Sequence, residues 1–268
     1  MKVFVLKIPL ILFATLTCAL GNIVPHKASY TIALSKPAKG QESSVTGSMT
    51  MDIRDTGAGW TFEQQFMVSV NNFTDKADEF RTTIASWESK DGKYYIFTTT
   101  SSHNGRIVDY THGHATTDPF DPGMAVYQQP KACLVRLNPG TLFPLHYLNK
   151  ILQTIEKVIE KEALNLSNQA VFDGTYSTQD AVEKVNVIMT PLTPALVLNN
   201  KDLIDADKAW SLHMAFFQPD SKEIDPDFEM TQTILKSGII LSMEVPMEYG
   251  EKTLQTTMTL KDVTIYSH

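Results

Sequence analysis

Two histidines, His112 and His114, flank a single glycine and give this 268-residue chain its sharpest local signal for chemistry. Residues two apart on a β-strand share a face, so both imidazoles could approach one metal ion. His103, Asp118 and Asp121 lie close enough in sequence to add nitrogen or oxygen ligands of the kind that zinc accepts. A metal-assisted hydrolase is therefore one hypothesis. The other interpretation is two exposed histidines beside a polar loop, since a metal site needs three or four converging ligands.

Other catalytic patterns are missing from the sequence. There is no Gly-x-Ser-x-Gly nucleophile motif, no phosphate-binding glycine loop and no dinucleotide fingerprint. Cys133 lies in an apolar, strand-like segment, which favours a buried and inert thiol. Asp202, Asp205 and Asp207 lack the glycine and the terminal glutamate of a calcium loop and indicate a solvated turn. We predict no cofactor.

The segments that would position these residues alternate apolar and polar side chains with period two. Such runs begin near Ala28, Val45, Trp60 and Trp210 and are rich in threonine, valine and aromatic residues. This pattern predicts half-buried antiparallel strands. The dipeptides at 91–92 (Asp-Gly) and 104–105 (Asn-Gly) predict tight hairpin turns.

One convincing helix interrupts the strands. It opens over Thr141 to Pro144, because proline is tolerated in a first turn. The predicted helix, residues 144–164, carries an apolar stripe at three- and four-residue steps, with Gln153, Glu156 and Lys157 facing solvent. The stripe consists of Leu145, Leu148, Ile151, Leu152, Ile155, Val158 and Ile159. We predict a mostly β fold: a large, curved, antiparallel sheet with one long amphipathic helix packed on or in it.

Large apolar side chains suggest a binding function. Curved sheets and open barrels can enclose a cavity, and methionine, of which the chain has 11, adapts to varied apolar ligands. We predict Trp60, Trp87 and Trp210 as the ligand contacts. A core that binds no ligand produces the same alternation of apolar side chains, so an ordinary core is the alternative interpretation.

The first 21 residues predict export. Lys2 and Lys7 precede and border the apolar run from Ile8 to Leu16, which leads to a small-x-small end at Ala19-Leu20-Gly21, as in a secretory signal peptide. The run is shorter than the roughly 20 residues that span a membrane. We predict a signal peptide over residues 1–21 and one β domain over 22–268.

Charge excludes some partners. Without the leader, 21 basic and 30 acidic residues remain, a net charge of −9 with neutral histidines. An acidic chain with no basic block does not favour nucleic acid. No later apolar run is long enough to cross a bilayer, so we predict a soluble protein.

Several segments, in order along the chain, resemble the cell-envelope integrity protein B (EipB) family of Gram-negative bacteria. They are residues 25–34 (PHKASYTIAL), 82–92 (TTIASWESKDG), 137–144 (LNPGTLFP), 171–174 (VFDG) and 210–217 (WSLHMAFF), with the terminal hairpin over 230–260. The resemblance implies a periplasmic protein whose long antiparallel sheet winds as a β-spiral around the helix, with a role in envelope integrity and no established enzymatic activity.

One family feature is missing. The resemblance implies a disulfide between a cysteine just before the Trp60 strand and a cysteine at the C-terminus. Here those regions read Gly57-Ala58-Gly59 and Tyr266-Ser267-His268, without cysteine. Since Cys18 lies in the leader, Cys133 is the one cysteine of the predicted mature chain, and we predict no disulfide.

We therefore predict a non-enzymatic periplasmic protein of the EipB type that helps to maintain the cell envelope, and that binds a lipid or other hydrophobic ligand, or an envelope component. The alternatives are a scaffold that binds another periplasmic or envelope protein, and the metal-assisted hydrolase around His112 and His114. A concave face filled by the helix would favour the scaffold, and an open one the carrier.

Overall fold

The computed structural model describes residues 23–35, 44–71, 77–157, 163–176, 182–192, 209–219, 224–249 and 252–266. The predicted signal peptide and the acidic residues Asp202, Asp205 and Asp207 lie outside these ranges. The described residues form fourteen strands and one helix. In chain order these are β1 His26–Leu34, β2 Ser44–Asp55, β3 Gly59–Asn71, β4 Asp78–Ser89, β5 Tyr94–His103, β6 Arg106–Thr116, β7 Gly123–Gln129, β8 Cys133–Leu137, α1 Pro144–Glu156, β9 Leu164–Val171, β10 Glu183–Pro191, β11 Ala209–Phe217, β12 Phe228–Leu235, β13 Ile240–Tyr249 and β14 Lys252–Ile265.

All fourteen strands belong to one antiparallel sheet. Their order is β8-β7-β6-β5-β4-β3-β2-β1-β14-β13-β12-β11-β10-β9, so β1 joins the N-terminal half to the C-terminal half. The two outer strands, β8 and β9, do not pair with each other. Instead Leu142, which follows β8, donates its amide to Ala170 at 2.8 Å and accepts from the Phe172 amide at 2.9 Å. The sheet is therefore curved and open, as predicted.

Period-two alternation gives the sheet an inner and an outer face. In β1, for example, Ala28, Tyr30 and Ile32 are buried while Lys27, Thr31 and Ala33 are exposed. The Tyr30 hydroxyl donates to the Ile240 carbonyl at 3.0 Å, which adds a polar contact on the inner side. The turn at Asn104-Gly105 has positive φ at both residues and joins His103 directly to Arg106, which confirms the predicted hairpin.

Helix α1 lies against the inner face at one end of the sheet. A β-carbon added to Gly92, in the β4–β5 turn, would lie 2.4 Å from the His146 ring, and one added to Gly238, in the β12–β13 turn, would lie 3.4 Å from Leu152. Both turns are at the same end, which we call the helix end. The opposite end carries the β5–β6 turn and the beginning of β4.

The helix is more enclosed than its apolar stripe predicts. Leu145, Ile151, Leu152 and Ile155 are buried as expected, but Tyr147 and Asn149 are buried too, and Gln153 is half-buried rather than exposed. A helix that contacts a single flat surface buries one stripe, so burial on further sides follows from curvature of the sheet around it. The described helix ends at Glu156, and the remainder of its predicted range falls on residues that are only partly described.

Two hydrophobic clusters fill the protein. The larger one unites α1 with inner side chains of β1–β3 and β9–β14. The smaller one is aromatic: the Phe172 ring lies 5.6 Å from Phe97 and 6.3 to 6.4 Å from Tyr95, Tyr127 and Phe143. This second cluster holds the end of β9 to β5 and β7 near the place where the sheet remains open.

Candidate functional site

A cavity of about 350 Å³ lies on the inner face, between strands β2 and β3 on one side and β12, β13 and β14 on the other. Its volume is at the lower end of the range of about 300 to 1,000 Å³ found for small-molecule sites. Six of the 11 methionines of the chain line it. They are Met49, Met51, Met230, Met243, Met247 and Met258. We call this space the methionine cavity.

The cavity lining contains no charged side chain among the described residues, and its polar groups are Gln64, Gln232 and Thr256. Two of these already have partners: Thr256 donates to the Val245 carbonyl at 2.8 Å, and the Gln232 amide points at the Met243 sulfur at 3.7 Å. The site therefore offers little to orient a polar ligand. Its thioethers are flexible and polarizable and suit an apolar chain of variable shape.

The helix end of the interior is held by a buried carboxyl group. Glu88 of β4 is 2 % exposed, and its oxygens accept the backbone amides of Leu145 at 2.9 Å and His146 at 2.7 Å. The residue before the helix, Phe143, has no side chain that can accept the first helix amides. Glu88, which lies on strand β4, accepts two of them instead and so caps the N-terminus of α1. Desolvation by burial raises the pKa of Glu88 to about 8, although both backbone hydrogen bonds act to lower it.

A polar contact crosses the interior at the opposite end. Asp78 of β4 accepts hydrogen bonds from the Tyr249 hydroxyl of β13, from Asn104 at 3.0 Å and from His103 at 3.0 Å. Phe80 stacks on the His103 ring at 4.6 Å and meets the Tyr249 ring edge-on at 6.0 Å. Since β4 and β13 are five places apart in the sheet, these side chains join opposite walls. The hydrogen bonds hold the pKa of Asp78 at about 2.

The methionine cavity therefore lies between two closures. Tyr249 is the next inner residue of β13 after Met247, and Phe80 pairs with Val68, the next inner residue of β3 after Phe66. Tyr249 is thus one inner position beyond the cavity lining on β13, and Asp78, which pairs with Val70, is two inner positions beyond it on the β3 side, at a spacing of roughly 7 Å per position. On the side of the helix end, α1 belongs to the same hydrophobic cluster as the lining residues Met49, Met51 and Met243.

The structure places the three predicted tryptophans apart from one another. Trp60 and Trp210 are buried, 7 % and 3 % exposed, and the Trp210 indole nitrogen has no hydrogen-bond partner among the described residues. Lys90 lies 3.3 Å above the Trp60 ring. Trp87 lies half-buried on the outer face, where its indole donates to Thr56 at 3.4 Å. None of them lines the methionine cavity, and their role as ligand contacts stays a prediction.

The two histidines do share one face, as their spacing predicts. The His112 ring is 2.9 Å from the Thr98 hydroxyl, and the His114 ring lies 6.0 Å from that of Tyr94. His103, by contrast, is on the inner face at the far end of β5. Among the described residues no group of three or more histidine, cysteine or acidic side chains converges as metal ligands would.

Asp118, one of the two aspartates proposed as ligands, is occupied in its own loop, where it accepts the amides of Phe120 and of Asp121, the other aspartate, at 2.9 and 3.3 Å. Cys133 is a free thiol at the start of the outer strand β8. It is half-buried against the aromatic cluster rather than fully buried as predicted, because β8 has a neighbour on one side only.

The sequence did not locate the cavity. The methionine count pointed to adaptable apolar surface, but the walls come from strands about 180 residues apart, and their approach depends on sheet curvature. A usable signal was the concentration of five methionines at alternate or nearby positions in β2, β13 and β14.

The fold and the cavity define a class: a β-barrel-like protein with an open antiparallel sheet, one helix against its inner face and an apolar space on that face. The family model described as EipB-like matches residues 17–266, so the chain belongs to the EipB-like family, which is associated with the bacterial envelope. The predicted family is thereby confirmed.

A solved structure has the same fold. It is the crystal structure of a β-barrel-like protein of domain of unknown function DUF1849 from Brucella abortus, 20 % identical, which aligns over 92 % of this chain and 99 % of that one with a TM-score of 0.72. The search of curated proteins finds no match. No helix among the described residues is long and apolar enough to cross a membrane.

Proposed function

We propose that this chain is a non-enzymatic periplasmic protein that binds a hydrophobic ligand in the methionine cavity and thereby serves cell-envelope integrity. The observation that carries the proposal is an uncharged space of about 350 Å³ lined by six methionines. In a core without a binding role, close packing removes such space, because interiors are about as dense as organic crystals.

The position of the helix favours a carrier over a scaffold. Helix α1 fills the helix end of the concave face, but the middle of the sheet retains the cavity. The predicted leader supports export from the cytoplasm, and an apolar molecule that moves between two membranes must cross water. An EipB-like protein with an internal apolar site suits that environment.

Binding of a fluorescent apolar probe tests the proposal. The purified protein is titrated with 1-anilinonaphthalene-8-sulfonate and, independently, with an uncharged probe such as N-phenyl-1-naphthylamine. We expect saturable binding of the uncharged probe with one site per chain. Met247→Trp adds a large ring to a half-exposed wall and should reduce the affinity at least tenfold while the unfolding midpoint stays similar.

Trp87→Ala is the matched comparison, since it removes a large apolar side chain from the outer face. Loss of probe binding on Trp87→Ala with none on Met247→Trp would move the site to the predicted tryptophan and contradict the cavity. A protein that binds neither probe, and that carries no lipid by native mass spectrometry, would remove the basis of the carrier function.

A further inference from the structure

The sheet splits beside the methionine cavity. Strands β12 and β13 pair from Ile234 and Ile240 as far as Thr231 and Glu244, and the pairing ends there. Both strands continue: β12 stays paired with β11 down to Phe228, and β13 stays paired with β14 up to Tyr249. Residues 228–230 and 245–249 therefore border a gap between adjacent strands.

Pro246 helps to explain why the pairing ends. It is the third residue of β13 beyond Met243, and it has no amide hydrogen to give to a neighbouring strand. Proline inside a sheet is confined to edges and irregularities, and here β13 has a free side next to β12 from this point on. The local sequence therefore accounts for part of the gap, through the missing amide hydrogen of Pro246.

The gap has a groove on its outer side. This groove, of about 450 Å³, crosses β11 to β14 and is lined by four carboxylates, which we call the acidic rim. They are Asp227, Glu229, Glu244 and Glu248. No lysine or arginine lines the groove among the described residues, and the one basic group, His213, lies 3.3 Å from Glu229.

Met230 and Pro246 line both the outer groove and the inner cavity. The two spaces therefore lie on either side of the split between β12 and β13, with Met230 and Pro246 between them. The inner side is uncharged and largely apolar, and the outer side carries carboxylates exposed to solvent. A molecule that occupies both must have an apolar chain and a head group that tolerates negative potential.

We propose that the split between β12 and β13 is the portal of the methionine cavity, and that the site takes an amphiphile with one apolar chain and a cationic head group. The chain lies among the methionines and the head group lies in the groove beside Glu229, Glu244 and Glu248. The carboxylates attract a cationic head group in the groove and repel an anionic one, and both effects are stronger at low ionic strength. The inference rests on the proposed function, because it names the ligand class of the same cavity.

Three amphiphiles with the same dodecyl chain test the inference: dodecyltrimethylammonium, dodecyl maltoside and dodecyl sulfate, each below its micelle concentration. Isothermal titration calorimetry of the purified protein measures their affinities at low salt. We expect the cationic amphiphile to bind roughly tenfold more tightly than the anionic one, since each exposed charge pair contributes little by itself. High salt should shrink the difference.

The rim variant Glu229→Gln/Glu244→Gln/Glu248→Gln should reduce the cation-to-anion ratio to about twofold and leave the affinity for dodecyl maltoside unchanged. The control Glu63→Gln/Asp109→Asn/Asp262→Asn removes the same net charge from exposed positions that do not line the groove. It should retain most of the tenfold preference.

Equal affinity for the cationic and anionic amphiphiles in the unaltered protein would overturn the portal and its head-group selectivity, while binding of all three would still support the cavity. An equal effect of the rim and control variants would also overturn it, because the preference would then reflect net charge alone. If no dodecyl amphiphile binds, the inference falls together with the proposed function.

Discussion

Replacement of Glu88 by glutamine should remove a pH dependence from the stability of the fold. Burial raises the pKa of Glu88 to about 8, against about 4.5 for an unfolded chain. The folded protein therefore keeps a proton between these pH values that the unfolded chain releases. Stability from this group is fully present below about pH 4.5 and is lost as the pH rises through 8.

The size of the effect follows from the same values. Each tenfold difference in proton affinity corresponds to about 1.4 kcal/mol, so the proton on Glu88 contributes at most roughly 5 kcal/mol. The contribution of Glu88 to the free energy of unfolding should therefore fall by about 4 kcal/mol between pH 5 and pH 9, since most of the change lies in the three pH units from 5 to 8. This is a large share of the 5 to 15 kcal/mol typical of a domain.

Urea denaturation at pH 5, 6, 7, 8 and 9 measures this dependence. Glu88→Gln keeps one acceptor but turns an amide donor toward the helix amides of Leu145 or His146, which should cost about 1 to 3 kcal/mol at pH 5. Because glutamine does not titrate, the difference between the two proteins should shrink or reverse as the pH rises.

Taking the difference between wild type and Glu88→Gln cancels the contributions of other groups that titrate between pH 5 and pH 9. Burial lowers the pKa values of His26 and His146, and these groups favour folding as the pH rises, which is the opposite slope. Both are present in either protein. A difference between wild type and Glu88→Gln that is constant from pH 5 to pH 9 would show that Glu88 is already ionised in the folded state, stabilised by the two helix amides.

Further changes test other contacts. Phe172→Ala, at the centre of the aromatic cluster, should lower the free energy of unfolding by about 3 to 5 kcal/mol, measured by urea denaturation, with Phe120→Ala on the exposed surface as the neutral control. Tyr249→Phe removes the phenol that donates to Asp78 and should raise the pKa of that carboxyl from about 2 toward its usual value, measured by carboxyl NMR titration; an unchanged pKa would mean that His103 and Asn104 suffice. A reducing agent should leave the thermal midpoint of the monomer unchanged, because Cys133 is a free thiol, and a clear drop would indicate an intermolecular disulfide.

Local sequence signals predicted local structure well. Asn104-Gly105 takes the positive φ angles that a two-residue hairpin needs, and Pro144 begins the helix. The alternation that begins at Trp210 predicted a half-buried strand, and in β11 Trp210, Leu212 and Met214 are indeed buried on one face. These features depend on a few neighbouring residues, so the sequence contains the information directly.

Features that depend on distant strands could not be predicted in this way. Glu88 reads as one more polar residue of a strand, and its role as helix cap appears only when β4 and α1 meet 57 residues apart. The split between β12 and β13 had a signal, Pro246 within an otherwise regular strand, but the pattern alone does not say which neighbour loses its pairing. The extra burial of Tyr147 and Asn149 likewise depends on how the sheet curves.

Element length explains why this fold leaves a cavity where an ordinary core would fill it. Helix α1 has 13 residues and spans about 20 Å at 1.5 Å per residue. Strands β2 and β3 have 12 and 13 residues and span about 40 Å at 3.3 Å per residue. One helix at the helix end therefore cannot fill the length of the interior. At the opposite end the two walls meet through the Tyr249–Asp78 hydrogen bond and the edge-on contact of Phe80 with Tyr249. The space between is lined by flexible methionines, whose packing can adjust to an occupant.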